Sequence, residues 1–332
     1  MRKPTLVDVA REAGVSRATA SRVLAGASTV DASMVVAVRE AAAKLAYRTN
    51  VAARSLAGGR TGAVAIVLAA GELEPFSGSF VAAPLKGATA ALLSAAQQPA
   101  LFLADPRQLD ALVAYLAAHY VDGAVVILQH EISTITQALA SVDLPIVFVG
   151  RPMGEHTEDV TFVDSDNYAG GRLAAEHLIA LGRTRIGVIS GPADMAASSD
   201  RVRGWRDVLT ECGLDTRAVA RGDFTMPSGS SAMARLLSRY PDLDAVFAGS
   251  DLMAVGAMRV LEASGRAVPD DIALVGFDDT VVAATAEPPL TSVRQPLEQM
   301  GRVAAELVME LIAGRTTAPR WLDTTLVVRD SA

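Results

Sequence analysis

Residues 5–24, Thr5-Leu-Val-Asp-Val-Ala-Arg-Glu-Ala-Gly14-Val-Ser-Arg-Ala-Thr-Ala-Ser-Arg-Val-Leu24, read as two short helices joined by a glycine turn. Thr5 is a suitable cap for the first helix, and Asp8, three residues on, supplies the acidic partner that a helix N-terminus favours. Leu6, Val9, Ala10 and Ala13 recur at spacings of three and four and so form one apolar face. Gly14 stops the helix and permits the backbone of a tight turn. Val15 plugs that turn, and Ser16 caps a second helix. In the second helix Ala20, Val23 and Leu24 point one way, and Arg17, Ala18, Ser21 and Arg22 point the other. The outer face is slim, polar and basic, which suits the DNA major groove. Arginine donates two hydrogen bonds to a guanine edge, while Thr19 and Ser21 are placed to reach phosphates.

Charge supports the same reading. The 332-residue chain holds 30 Lys+Arg against 37 Asp+Glu, a balance that argues against nucleic acid as a partner. Residues 1–60, however, carry ten basic and four acidic side chains, a net of +6, which leaves −13 on the remainder. A small basic head on a large acidic body fits a DNA-binding module attached to something that avoids DNA.

Asp31 is placed to cap a third helix running to about Tyr47, with Met34, Val35, Val38, Ala42 and Leu45 as its apolar stripe. Asn50 to Leu56 form a short helix-competent segment that Gly58-Gly59 ends. From Ala63 the pattern changes to short apolar runs, at 63–68, 100–103, 124–128, 146–149, 186–190, 245–248 and 272–277. They are separated by amphipathic stretches at 109–119, 168–181, 201–212, 231–239 and 252–264. Continuous apolar strands alternating with helices mean parallel sheets covered on both faces. Their number suits two lobes, so the predicted fold is an all-α helix-turn-helix head followed by an α/β core of two doubly wound parallel-sheet lobes. Ligands of such folds bind beyond the carboxyl ends of the strands, and two facing lobes make one cleft.

Other classes are disfavoured. A single cysteine, Cys212, excludes an internal disulfide and a multi-cysteine zinc site. No apolar run approaches the roughly 18 residues that span a bilayer, and the N-terminus lacks a secretory pattern, so a cytoplasmic protein with no membrane partner is expected. His119, His130, His156 and His177 show no Ser/His/Asp arrangement, with His177 expected on an exposed helix turn. Gly58-Gly59-Arg60 to Gly62 is not a phosphate loop. Neither catalysis, a metal nor a cofactor is implied.

The residues 5–24 are similar to the head of the lactose-repressor (LacI/GalR) family of bacterial transcription regulators. The similarity continues through Asn50 to Leu56, Asp166-Asn167-Tyr168-Ala169-Gly170-Gly171, Gly191-Pro192, Arg201-Val202-Arg203-Gly204-Trp205, Ser250-Asp251-Leu252-Met253-Ala254, Gly276-Phe277-Asp278-Asp279 and Pro289-Leu290-Thr291-Ser292-Val293. These motifs follow the family's order over nearly the whole chain. The resemblance implies a homodimer that reads a roughly palindromic double-stranded operator, with a sugar-like effector between periplasmic-binding-protein-like lobes. It implies domains at 1–48 (head), 49–60 (hinge and linker) and 61–332 (core). Within the core, one lobe takes about 61–162 plus 292–322 and the other about 163–291 plus 323–332. DNA contacts are expected from Thr5, Ser16, Arg17, Ala18, Thr19, Ser21, Arg22, Asn50, Arg54 and Leu56, with Leu56 as an apolar wedge in the minor groove.

In the effector cleft, the resemblance implies Arg201 as a fork for hydroxyls or a carboxylate and Asp278 as the acceptor for adjacent hydroxyls. Phe224 is expected to cover a sugar face, and Ser250, Gln295 and Phe80 to line the rest. Gly150, Ala197 and Ser250 depart from the family's usual polar residues, so the effector need not be a familiar hexose. The alternative is a solute-binding protein of the same two-lobed fold. The basic N-terminal 60 residues favour the regulator.

Overall fold

The structure is a computed structural model that describes residues 4–24, 30–47, 60–69, 79–127, 132–139, 142–153 and 160–332. Asn50, Arg54, Leu56, residues 49–59 of the hinge and linker expected at 49–60, His130 and His156 lie outside the described residues. The chain divides into two compact units, Met1–Gly62 and Ala63–Ala332.

The first unit holds α1 (Leu6–Glu12), α2 (Arg17–Leu24) and α3 (Ala32–Lys44). Thr5 and Asp8 form a reciprocal capping box: the Asp8 backbone donates to the Thr5 side chain, and Thr5 N–H donates to Asp8 Oδ2 at 2.8 Å. Two orphan donors at the helix start are thereby satisfied. Gly14 sits at φ +64°, where a side chain would be strained, and turns the chain into α2. Ser16 accepts the Thr19 N–H at 3.0 Å and so caps α2. Asp31 caps α3 by accepting from Ser33 N–H at 2.8 Å. Val9, Ala10, Ala20, Val23, Val38 and Ala41 form the small core. Met34 is exposed, and Ala41 is buried instead, because α3 turns its 38/41/45 edge inward.

The second unit contains two sheets. The first runs β2-β1-β3-β4-β5-β11, from β1 (Ala63–Ala69), β2 (Gln98–Ala104), β3 (Gly123–Ile127), β4 (Ile146–Val149), β5 (Thr161–Ser165) and β11 (Arg320–Leu322). The second runs β7-β6-β8-β9-β10-β12, from β6 (Ile186–Ser190), β7 (Val219–Arg221), β8 (Ala245–Ala248), β9 (Ala273–Asp278), β10 (Thr291–Arg294) and β12 (Thr325–Val327). Every pairing is parallel except β10 with β12.

Alternation along β1 places Val64, Ile66 and Leu68 under α4 (Ser79–Ser94) and α12 (Leu297–Ile312). Ala65, Val67 and Ala69 lie under α5 (Leu109–Ala117) and α6 (Ile132–Leu139). The second sheet is covered likewise by α7 (Asn167–Ala180) and α8 (Ala196–Glu211) on one face. On its other face lie α9 (Met226–Arg239) and α10 (Asp251–Ala263), and the short α11 (Val281–Thr285) follows β9. Covered on both faces, the strands are apolar throughout, as the sequence pattern predicts.

The chain changes lobe after β5, after β10 and after β11, so the crossings expected near 162, 292 and 322 fall after Ser165, Arg294 and Leu322. The last strands are short, and β10 is polar enough (Thr-Ser-Val-Arg) to give no apolar run. Among the described residues no helix is long and apolar enough to cross a membrane. His177 is half-buried rather than exposed, and its Nε2 is enclosed.

Candidate functional site: a polar cluster between the lobes

The strand-helix turns of the second lobe carry polar groups toward one point. β9 ends in Asp278 at φ +109°, followed by Asp279 at φ +54°, a strained pair for non-glycine residues. Asp279 is held by Arg294 Nε at 2.6 Å and Arg329 Nη2 at 2.5 Å. Anchoring the second carboxylate fixes the turn that presents the first.

Arg201, on the second turn of α8, is 4% exposed. Its Nε donates to Asn167 Oδ1 at 2.9 Å and its Nη1 to the Gly249 carbonyl at 2.6 Å, and Asp278 Oδ1 lies 3.9 Å from Nη1. The guanidinium lies 3.7 Å from the Phe277 ring centroid and 5.6 Å from that of Phe224, a cation held by aromatic faces as well as by hydrogen bonds. Phe224 has φ +69° and is buried with its ring against Gly191, where an added Cβ would come within 2.2 Å of it. Gln295 Nε2 donates to Asp278 Oδ1 at 2.6 Å. The structure therefore brings Arg201, Phe224, Asp278 and Gln295 into one group.

Ser250 is buried beside them, but its hydroxyl caps α10 by accepting from Met253 N–H at 3.3 Å. Phe80 lies in the first turn of α4, and its side chain is outside the described residues. Gly150 follows β4 at φ +91°, a conformation suited to glycine. Ala197 is half-buried in the first turn of α8.

Several members of the cluster were not singled out from the sequence. Asp164, at the end of β5 in the first lobe, accepts from Arg151 N–H at 3.1 Å and from Asn167 Nδ2 at 3.1 Å. Arg151 Nη2 in turn donates to Asp200 of α8 at 2.5 Å. Arg151 and Asp164 of the first lobe are thus tied to Asn167, Asp200 and Arg201 of the second. Asp251 accepts from Ser292 Oγ at 2.6 Å and from Thr280 N–H at 2.7 Å. Gly276 makes room for it, since a Cβ there would lie 2.6 Å from Asp251 Oδ1. Asn167, Asp251 and Phe277 sit inside motifs already quoted, and only the fold reveals that they meet.

Burial is the dominant influence on these ionisations. It pushes Asp164 up to about 6, against the opposing pull of backbone N–H groups and of Arg201 and Arg151. Asp278 is raised by burial and held down in part by Arg201, while Asp251 is raised by burial and by the neighbouring Asp278 charge. Arg201 is lowered by burial, and the charges of Asp278, Asp164 and Asp251 counter the shift. A buried guanidinium beside partly neutralised carboxylates, flanked by two aromatic rings, is suited to a neutral ligand rich in hydroxyls: donors and acceptors lie side by side above an apolar face.

In the first unit, Arg17 and Ala18 are exposed along α2 with Arg22, and Ser21 is half-buried beside them. Ser16 and Thr19 share a hydroxyl hydrogen bond of 2.9 Å at the start of α2, and Thr5 is engaged in its capping box. Neither Arg17 nor Arg22 is in an ion pair among the described residues. Among the described residues, no group of three or more His, Cys, Asp or Glu side chains is placed to hold a metal ion.

A capped helix-turn-helix with a free basic face, joined in one chain to a two-lobed core with a polar cluster between its sheets, defines a DNA-binding regulator with a sensor domain. Residues 5–50 match the family described as bacterial regulatory proteins, lacI family, and residues 175–332 match the periplasmic binding protein-like domain. The HTH-type transcriptional regulator CelR of Thermobifida fusca is 45% identical over 337 residues, 99% of this chain and 98% of that protein. A solved CelR-cellobiose complex superposes with a TM-score of 0.77 at 42% identity, covering 99% of this chain and 100% of that one. A lac repressor dimer bound to operator and an anti-inducer superposes with a TM-score of 0.81 at 27% identity, covering 99% of both chains. The chain belongs to the LacI family and is a DNA-binding transcriptional regulator.

Proposed function

We propose that this protein is a cytoplasmic, non-enzymatic repressor that binds a palindromic operator as a homodimer and responds to a cellobiose-class disaccharide held between its lobes. The likeness to a regulator solved with cellobiose carries the choice of ligand. The Arg201–Asp278–Gln295 group with its aromatic flank supplies the chemistry: Asp278 accepts from adjacent hydroxyls, Arg201 donates to a ring or hydroxyl oxygen, and Phe224 covers an apolar sugar face. Ser250 and Phe80 complete the proposed lining. The domain limits proposed are 1–48 for the head, 49–60 for the hinge and 61–332 for the sensor.

On DNA, Arg17, Ala18 and Arg22 meet base edges, while Thr5, Ser16, Thr19, Ser21, Asn50 and Arg54 meet the backbone, and Leu56 wedges into the minor groove at the centre of the site. Effector binding shifts the population between lobe arrangements that favour and disfavour operator-bound heads. The deciding experiment follows a palindromic promoter fragment by fluorescence anisotropy with the full-length protein, with and without cellobiose, alongside calorimetric titration of cellobiose into the same preparation. Salt-dependent operator binding that cellobiose changes supports the proposal. DNA binding indifferent to a bound disaccharide overturns the effector assignment, and absence of specific DNA binding overturns the operator assignment. Arg17→Ala and Arg22→Ala are expected to cost about 1–3 kcal/mol at particular base pairs. A uniform loss over all sequences would make them phosphate contacts.

A further inference from the structure

The chain passes between the lobes after Ser165, Arg294 and Leu322, so movement at these crossings carries one lobe past the other while distances within a lobe stay fixed. Arg151 and Asp164 both belong to the first lobe, after β4 and at the end of β5, and the Arg151 N–H donates to Asp164 Oδ2 at 3.1 Å. The Arg151 side chain, however, pairs with the other lobe. Its Nη2 reaches Asp200 on α8 at 2.5 Å, and its guanidinium lies 5.7 Å from the ring centroid of Trp321 on β11.

Two groups are left short by that pairing. Arg151 Nε is enclosed and has no hydrogen-bond partner. Asp164 is buried, and among the described residues its carboxylate is in no ion pair: Oδ1 accepts from Ser165 N–H and Asn167 Nδ2, and Oδ2 accepts from Arg151 N–H. An enclosed donor without an acceptor and a buried carboxylate without a cation are both costly. Asp164 Oδ2, bonded to the backbone of Arg151, lies well within the span of that residue's own side chain. Asp200 is the less dependent partner, because it also pairs with Arg203 Nη2 at 3.1 Å and keeps a cation when Arg151 leaves.

Building on the lobe movement proposed above, we infer that Arg151 is a two-position latch between the lobes, held by Asp200 in the arrangement seen here and turned back onto Asp164 in the alternative arrangement. Leaving Asp200 costs Arg151 one carboxylate and returns another, so the two states stay close enough in energy for a ligand to choose between them. The latch also responds to pH. The charged groups around Asp164 are Arg151 of its own lobe, Asp200, Arg201 and Arg203 of α8, Asp166 at the start of α7 and, beyond Arg201, Asp278 and Asp251. Strands β4 and β11 place the uncharged Val149 and Trp321 beside β5. With no cation in contact, burial raises Asp164 to about 6, whereas Arg151 docked on it holds it charged. A proton on Asp164 therefore favours the arrangement seen here, and its loss favours the alternative.

The test uses the full-length protein, spin-labelled at the exposed Cys212 of the second lobe and at Ala118→Cys, an exposed position of the first. Labelled protomers are diluted with excess unlabelled Cys212→Ser protein, and pulsed dipolar spectroscopy reads the distance between the lobes. Two distance populations are expected, with a ratio that moves toward the arrangement seen here as pH falls from about 7 to 5, by at most about tenfold per pH unit for one proton. Asp164→Asn should favour that arrangement and lose most of the pH dependence, while Asp200→Asn should favour the alternative. Each shift should be about threefold to fivefold, because Arg151 is partly exposed. In an Arg151→Met background, which keeps the stem and neither contact, the two carboxylate substitutions should no longer move the ratio in opposite directions. A single distance population, a ratio indifferent to pH, or carboxylate variants that shift it the same way overturns the latch. These distances are read without sugar or DNA, so a failure of cellobiose to bind or to alter operator binding counts against the effector assignment alone.

Discussion

The two lobes of the sensor share one winding and differ in what they bury. In each sheet the strand order, read from the edge, is second, first, third, fourth, fifth and then a late-returning strand. In each, glycines let helices meet backbone to backbone. In the first lobe a Cβ at Gly87 or Gly301 would lie 1.9 Å from the carbonyl oxygen of Glu298 or Pro84. In the second, a Cβ at Gly171 or Gly204 would lie 2.1 Å from that of Arg201 or Tyr168. The buried polar residues, by contrast, fall mostly in the second lobe, Asn167, Asp200, Arg201, Ser250, Asp251 and Ser292 among them, while the first lobe contributes Asp164 and Ser165 at the end of β5 and Thr136 on α6. Common topology makes a stable layered sandwich, and the residues at the strand ends decide which lobe carries the chemistry.

The largest expected effect tests the shared part of this comparison. Gly204→Val and Gly301→Val each force two helices apart and should lower stability by about 3 kcal/mol or more, read as a loss of melting temperature. If either substitution is neutral, backbone contact is not what sets the helix spacing in that lobe.

Next in size, Asp278→Ala should weaken cellobiose by about tenfold to a hundredfold, equivalent to roughly 1.4–2.8 kcal/mol, with the far-ultraviolet circular dichroism unchanged. Calorimetry showing an unaltered dissociation constant would mean that the second lobe's polar end is structural only.

The pH dependence follows from the buried carboxylates. Asp164 is raised from 3.8 to about 6, and Asp251 and Asp278 are raised as well, so the folded state holds protons that the unfolded state has lost. Stability from these groups therefore increases as pH falls from about 7 through 6 toward 4. A melting temperature that rises over that interval is the expected result, and Asp164→Asn should flatten part of the slope. Cellobiose affinity should fall over the same interval as Asp278 takes up a proton and loses acceptor strength.

The smallest effect concerns the link between lobes. Arg151 is about a third exposed, so Arg151→Ala should cost no more than about 1 kcal/mol in stability. It should change how cellobiose alters operator binding more than it changes cellobiose affinity itself. Equal changes in both would show that the Arg151–Asp200 pair does not distinguish lobe arrangements.

Much of the head was legible because its signals are local. Thr5, Asp8, Gly14, Ser16 and Asp31 each act within three residues of where they stand, and all five do in the structure what their positions suggest. The central strands were legible as apolar runs. Strands β5, β7, β10, β11 and β12, of three to five residues, were not, since they are short and mostly polar or charged at their ends. Met34 illustrates the limit of helical spacing: it fits the stripe of α3 but lies beyond the edge that two neighbouring helices cover.

Arg201 and Asp278 were found through their resemblance to family positions, and their surroundings were not. Arg201 finds Asn167 from 34 residues away and the Gly249 carbonyl from 48, and no spacing rule connects such positions before the strands are ordered. Ser250 shows the converse: a polar residue in the right neighbourhood spends its hydroxyl on a helix cap.

By itself, the sequence determined a basic helix-turn-helix head, a change of pattern after residue 60 and two sets of buried parallel strands, because capping, turn chemistry and hydrophobic period act over a few residues. Only the tertiary structure decided that the strand ends of the second lobe converge on Arg201 and that Asp164 and Arg151 join it from the first lobe. Those groupings depend on which distant segments the sheets bring side by side, and burial then sets their charges.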